Sequence, residues 1–192
     1  HVYGDFVTVG TNNKTPSSGI LIQNCHFDTA GRQGIALTDA SQVDINNVTL
    51  GNTGADTFDL ESSSPPQGVS NVIIENTTSF GKGAVWFSAG GNANSNTGNV
   101  VVRNNTMTST QAGDVVNLWA PAGYTKDKFT FTGNTLRAGA STTVSALQLT
   151  RASNMKFDNN SVYFANRGKS SDYTHEAAIC AYQRSNVKAI AN

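Results

Sequence analysis

The chain is poor in charge, in cysteine and in proline. Charged residues make up 14% of its 192 positions, well under the roughly 25% usual for globular proteins. Lysine and arginine together number 13, no more than the 13 aspartates and glutamates. The cationic surplus that a nucleic-acid partner needs is therefore missing. No apolar run approaches the ~18 residues of a membrane helix, and no such partner is expected. There is no Gly-x-Ser-x-Gly elbow, phosphate loop or zinc-ligand spacing. The two cysteines, Cys25 and Cys180, fall in repeats far apart. At ~4.8 Å per layer they are too distant for a bridge. Asn, Thr, Ser and Gly take the place of the missing charge, a mixture that suits a β-rich chain with many polar turns.

Six short segments share one template: Ile22–Phe27, Ile45–Leu50, Ile74–Ser79, Val102–Met107, Phe131–Leu136 and Phe157–Val162. An apolar residue opens each, Asn follows two places later, and another apolar residue usually closes it. The unit recurs every 23 to 29 residues or so, a period typical of stacked repeats. Asn tolerates the left-handed backbone of a tight corner, and its amide can hydrogen-bond from one layer to the next. Gly133 interrupts the series, but Gly reaches positive φ more easily still. The template predicts an Asn ladder at Asn24, Asn47, Asn76, Asn104 and Asn159, with side chains pointing into the stack.

Three strand segments per layer follow. The first runs through 7–9, 35–37, 58–60, 85–87, 116–118, 147–149 and 179–181. Period-two alternation turns its flanking residues inward and its middle residue outward. The second precedes the corner, at 20–22, 43–45, 72–74, 100–102, 129–131, 155–157 and 187–189. The third is short and Thr-rich, with Phe27, Leu50, Met107, Leu136 and Val162 inward, and Phe80 taking that role one place late through a bulge. Connections between first and second segments vary, being long at 62–71, 89–99 and 120–128, whereas the corner keeps its length. Variable loops on a solenoid collect around a binding face, here the first segment. Neither end carries a visible cap, so residues 1–192 are expected to form one segment, an excerpt of a longer coil.

This layout resembles the pectate-lyase-like right-handed parallel β-helix superfamily over nearly the whole chain. The second segments are also entered in that family's manner, as in Val69-Ser70-Asn71-Val72, Ala152-Ser153-Asn154-Met155 and Arg184-Ser185-Asn186-Val187. The fold class expected is all-β: a right-handed parallel β-helix of three strands per turn and about seven turns, with the Asn ladder at its second corner. The superfamily includes polysaccharide lyases, glycoside hydrolases, epimerases, phage tailspikes and adhesins, so fold alone does not choose a function. In the resembling enzymes the carbohydrate cleft runs along the first-segment sheet.

Stacking the outward positions of that sheet gives two columns. One reads Thr8, Ala36, Asp59, Trp86, Asn117, Gln148, Cys180; the next reads Gly10, Thr38, Glu61, Ser88, Trp119, Thr150, Tyr182. This places Trp86 and Trp119 on one outer wall, where a sugar ring suits their apolar faces, with Asn117 and Gln148 as polar contacts. Asp59 and Glu61, two apart on one strand, lie ~6.6 Å apart at the backbone. That is near the lower end of the ~6.5–9.5 Å that leaves room for water in inverting glycoside hydrolysis. One carboxyl would protonate the leaving oxygen and the other activate water. Arg32 could reach Asp59 or Asp56 and hold an acidic sugar. Against this stand blander readings: a solvated acidic pair, indoles covered by loops, or Asp56, Asp59 and Glu61 binding Ca²⁺. No cofactor is expected, Ca²⁺ being the exception if the chain is a lyase. His26 reads as a surface residue, His175 has no evident partner, and Lys156, Lys188, Arg151 and Arg184 make a small basic strip. Sequons occur at Asn13, Asn47, Asn76, Asn104 and Asn159; with the last four turned into the stack, only Asn13 would accept a glycan. The function expected is polysaccharide binding, with cleavage at Asp59 and Glu61, outside the cell, on its surface or on a virion. The rival is a non-catalytic structural or adhesive module, trimeric if part of a tailspike.

Overall fold

The structure is a computed structural model that describes residues 2–11, 15–62, 68–81, 83, 85–90, 97–110, 115–139, 147–164, 179–182 and 187–190. For residues 164, 180–182 and 187–190 the backbone alone is described. Asn13, His175 and Arg184, singled out above, lie outside the described residues. No described residue is helical.

The strands fall into three sheets. Sheet 1 stacks β1 (Val7–Val9), β4 (Ile35–Leu37), β7 (Phe58–Leu60), β10 (Phe87–Ala89), β13 (Val116–Trp119), β16 (Leu147–Thr150) and β20 (Ile179–Tyr182). Sheet 2 stacks β2 (Ser17–Gln23), β5 (Ala40–Asn46), β8 (Val69–Glu75), β11 (Gly98–Arg103), β14 (Lys126–Thr132), β18 (Met155–Asp158) and β21 (Val187–Ile190), with β17 (Ala152–Ser153) beside β14. Sheet 3 stacks β3 (His26–Ala30), β6 (Thr49–Thr53), β9 (Thr78–Gly81), β12 (Thr106–Ser109), β15 (Thr135–Ala138) and β19 (Ser161–Phe164). Each strand pairs in parallel with its counterpart one repeat away. The result is an all-β parallel solenoid, with all three strands and their side chains described over about five turns.

The register turns sequence alternation into vertical columns. On sheet 2, Ile45, Ile74, Val102, Phe131 and Phe157 lie one above another. On sheet 3, Phe27, Leu50, Ser79, Met107, Leu136 and Val162 do the same. Most of these side chains are fully buried, each worth roughly 1.5–3 kcal/mol of transfer free energy. Aromatic rings continue through the core, with Phe87 edge-on to Phe131 at 5.2 Å and to Phe129 at 6.2 Å.

Two sequence expectations are corrected, and they are linked. Ser79, not Phe80, faces inward in its turn, and no bulge forms; Phe80 is left 43% exposed. The small serine leaves space that Trp86 fills from the next repeat. Trp86 is only 3% exposed and packs edge-on against Phe58 at 6.1 Å. Ser79 and Trp86 line the same residual void of about 10 Å³, near the size of one water. Because the indole turns in, the strand of this turn is β10, at 87–89, instead of 85–87.

The corners adopt the expected backbone. Asn24, Asn47, Asn76, Asn104 and Asn159 have φ of 52–55°, and Gly133 has 66°. Their side chains, however, are exposed and do not enter the stack. The inward orientation expected at these residues is therefore corrected, and so is the argument that hid the sequons at Asn47, Asn76, Asn104 and Asn159. At the corner itself Asn47 Nδ2 donates to Asn24 Oδ1, whereas Asn76 Nδ2 donates to Asn46 Oδ1. Buried amide bonds run one place later. Asn160 Oδ1 accepts from the Asn134 backbone N–H and Nδ2, and Asn134 Oδ1 accepts likewise from Asn105. Asn105 Oδ1 in turn accepts from the Thr77 N–H and hydroxyl. Each of these three Nδ2 groups also donates to an interior carbonyl, of Ile74, Val102 or Phe131.

Sheet 2 holds a second left-handed column: Gly19, Gln42, Asn71, Asn99, Lys128 and Asn154, with φ of 52–71°. This accounts for the Ser-Asn-apolar entries at Asn71 and Asn154.

These geometries separate two kinds of asparagine. Asn134→Ala should lower unfolding free energy by roughly 2–4 kcal/mol, because it orphans buried donors and a carbonyl costing ~1–3 kcal/mol each. Asn104→Gly should change it by less than ~1 kcal/mol, since Gly accepts the same φ. Urea unfolding of both variants checks the contrast.

Candidate functional site

The outer wall of sheet 1 is set by register. Asp59 stands beside Ala36 and Ser88, and beyond Ser88 come Asn117 and Gln148. Ser88 thus occupies the place expected for Trp86, and the two indoles do not share a wall. Extending the same alternation, the next column reads Thr38, Glu61, Gly90, Trp119 and Thr150. Trp119 is 38% exposed. Gly90 stands between it and Glu61, and among the described residues nothing lies within 4 Å of where a Cβ would be. Glu61 and Trp119 therefore flank a gap, two layers or ~9.6 Å apart along the stack.

Asp59 faces outward from β7 yet is only 4% exposed. Its Oδ2 accepts from Gln33 Nε2 at 2.8 Å. Gln33 is held by its own N–H, which donates to Asp5 Oδ1 at 3.0 Å. Arg32 does not pair with Asp56 or Asp59 as the sequence suggested. Its Nε lies 3.8 Å from Asp5 Oδ1, and most of its side chain is in solvent. Its charge still reaches Asp59 at longer range.

Three carboxyls gather here. Burial pushes Asp59 up to about 7; the Glu61 and Asp56 charges add to the rise, while the Gln33 hydrogen bond and the Arg32 charge oppose it. Burial likewise pushes Asp56 up to about 6, opposed by a hydrogen bond from Ser88, with the Glu61 charge raising it and the Val85 backbone lowering it. Desolvation dominates both. The cluster can therefore hold and release protons near neutrality.

A fourth member was not visible in the sequence. Lys126 opens β14, is 1% exposed, and donates from Nζ to the Gly90 carbonyl at 2.9 Å. Burial pulls its ammonium down to about 8, against the pull of Glu61 and Asp59. The sequence reads 120–128 as a long connection, which hides the strand that Lys126 opens. Gln33 was missed as well, because a glutamine in a connection carries no sequence signal until its partner is known.

The remaining residues fall outside this group. Asn117 and Gln148 are half-buried further along the wall. His26 is exposed on sheet 3. Lys156 pairs with Asp158 at 3.0 Å, and Arg151 Nη1 donates to the Ala120 carbonyl. Among the described residues, no group of three or more His, Cys, Asp or Glu side chains is placed to hold a metal ion.

The cluster gives stability an unusual pH dependence. A carboxyl raised above its ordinary 3.8 binds its proton more readily in the folded chain, so its contribution is present at low pH and lost as pH rises towards about 6 for Asp56 and 7 for Asp59. An ammonium lowered from 10.5 contributes stability above that value and loses it as pH falls through about 8. Urea midpoints at pH 5 and at pH ~9.5–10 should therefore exceed that at pH ~7.5, and Asp59→Asn should flatten the acid side.

One protein-family model, described as a right handed beta helix region, matches residues 13–192. No curated protein and no solved structure matches the chain. With the matched span covering nearly all of the parallel coil described above, the chain belongs to the right-handed β-helix family.

Proposed function

We propose that this β-helix binds a polysaccharide along the outer wall of sheet 1 and cleaves it by acid–base chemistry at Asp59 and Glu61. The observation that carries the reading is the carboxyl cluster of Asp56, Asp59 and Glu61, in which burial keeps protons on Asp56 and Asp59 available near neutral pH. Asp59 gives its proton to the glycosidic oxygen as the C–O bond breaks. Glu61 takes a proton from the water that adds to the anomeric carbon. One bond is exchanged for another, and a proton has moved from one carboxyl to the other. The gap over Gly90 gives a sugar ring a seat between Glu61 and the exposed face of Trp119. Among the described residues this wall has no cationic surplus, Arg32 being engaged by Asp5. The reading is accordingly for a neutral glycan, and the acidic sugar that Arg32 suggested is set aside.

A second reading is favoured by the near-complete covering of Asp59 and by the burial of Trp86: a rigid, non-catalytic structural or adhesive module. A panel of polysaccharides separates the two. Under the first reading the wild-type chain releases reducing ends, and Asp59→Asn or Glu61→Gln lowers the rate about 10²–10⁴-fold while glycan binding persists. Trp119→Ala should weaken binding by roughly tenfold, since an aromatic contact is worth about 0.5–1.5 kcal/mol. Absence of both release and binding across the panel leaves only the structural module. Unsaturated, ultraviolet-absorbing products would instead identify an eliminative cleavage.

A further inference from the structure

Among the described residues, Lys126 stands in a column where no other turn places a charge. Taking the register one place beyond the paired residues, its column reads Ser17, Ala40, Val69, Thr97, Lys126 and Ala152. All but the half-buried Ser17 are buried, and the neighbours are small or apolar. Alanine, valine or threonine evidently satisfies the fold at this corner. Burying an ammonium there costs several kcal/mol unless something nearby compensates. Its chain runs under the corner between sheets 1 and 2, and its Nζ ends at the Gly90 carbonyl, beside the seat between Glu61 and Trp119.

Among the described residues the charges that act on it can be named. Glu61 and Asp59 act on Lys126 directly. Asp56 acts on Asp59, and Arg32 opposes it from the far side, where Asp5 restrains that guanidinium. The other charged groups near this corner are turned elsewhere. Asp127 accepts from Ser153 and Asn154, Arg151 donates to Ala120, and Asp39 accepts from the Gly68 N–H. Lys128 lies 4.0 Å from Asp127 and is largely in solvent. Among the described residues, Lys126 is thus the cation that serves Glu61 and Asp59 from the buried side.

We propose that Lys126 is a positioning residue: its ammonium, delivered from sheet 2, keeps one negative charge on the Glu61–Asp59 pair and so fixes how the cluster divides its protons. The proposal rests on reading that cluster as the working site. Its physical content is a coupling between ammonium and carboxyls, which exists whether or not a glycan is cleaved. Such coupling is reciprocal. Removing the ammonium must make the carboxyls harder to ionise, and removing a carboxylate must make the ammonium easier to deprotonate.

The experiment follows the Asp56 and Asp59 side-chain carbons by NMR across pH, in the full chain and in Lys126→Met. The methionine keeps the length and bulk of the lysine stem and drops the charge. Expected is a folded variant whose Asp59 midpoint rises by about one unit. The reciprocal arm follows the Lys126 Nζ resonance in Glu61→Gln, where its midpoint should fall. This second arm stands if Lys126→Met fails to fold. Unchanged midpoints in either arm overturn the proposal, as does a Lys126→Met chain that loses stability while its carboxyls titrate as before. Loss of the glycan-cleavage reading alone would leave both titrations intact, so the two failures are distinguishable.

Discussion

The structure depends on one constraint: each strand must meet its counterpart in the adjacent turn in fixed register, because that is where its backbone N–H and C=O groups find partners. The pairing of Val100, Val101 and Val102 with the strands on both sides shows the rule. Since side chains alternate in and out, a slip of one residue would turn an entire strand's apolar set to solvent. Every inward position therefore becomes part of a vertical column, and a residue placed there is judged by the residues above and below it. Apolar columns meet the requirement by packing. Polar ones meet it only if each member bonds the next, as Asn105, Asn134 and Asn160 do. The turns hold one another in place.

That constraint decided which features could be read from the amino-acid order. Strands such as Ile35–Leu37 and Phe58–Leu60 were legible because their alternation is clean and short. The left-handed corners were legible because Asn and Gly are the residues that reach positive φ at little cost. The side chain at those corners was misjudged by one place. A residue with positive φ is turned out, and the buried position falls to the next residue, Asn105 instead of Asn104. Template and stack share a period but differ in phase. The Ser-Asn entries carried a second such signal, which resemblance noted and the φ values explain.

The failures have a common cause. Val85, Trp86 and Phe87 form an apolar run with no alternation to fix which residue faces in. Its phase was settled elsewhere, by the small Ser79 in a column otherwise filled by Phe27, Leu50, Met107 and Leu136. The indole fills volume that the serine leaves, so Phe80 is released to solvent. Neither residue reveals this alone. Lys126 and Gln33 were invisible for the same reason, because their meaning lies in partners some 26 or more residues away. Asp59 and Glu61 could be located from spacing on one strand. Whether they were simply solvated, or instead buried and proton-retaining, depended on neighbours in other turns.

The cluster is also where this fold is least well served as a fold. In the column of Lys126, alanine and valine pack without desolvating a charge, and at the place of Asp59 the neighbouring turn uses Ala36. Replacing a buried ion by an apolar residue of like size is often neutral or stabilising, whereas removing one partner of a buried pair is not. A solenoid selected for rigidity alone would have little use for three carboxyls and an ammonium at one corner. Solvated turns could carry such charges at almost no cost. Here burial raises two acids and lowers a base until all three titrate within about two pH units of one another. Shifts of that kind, opposed in sign and converging on neutrality, recur at sites of proton transfer, and structural ion-pair networks produce them as well. The coil supplies a stiff frame in which a group from sheet 2 and groups from sheet 1 meet at fixed separation. The proposed chemistry falls at the corner that departs from the repeat.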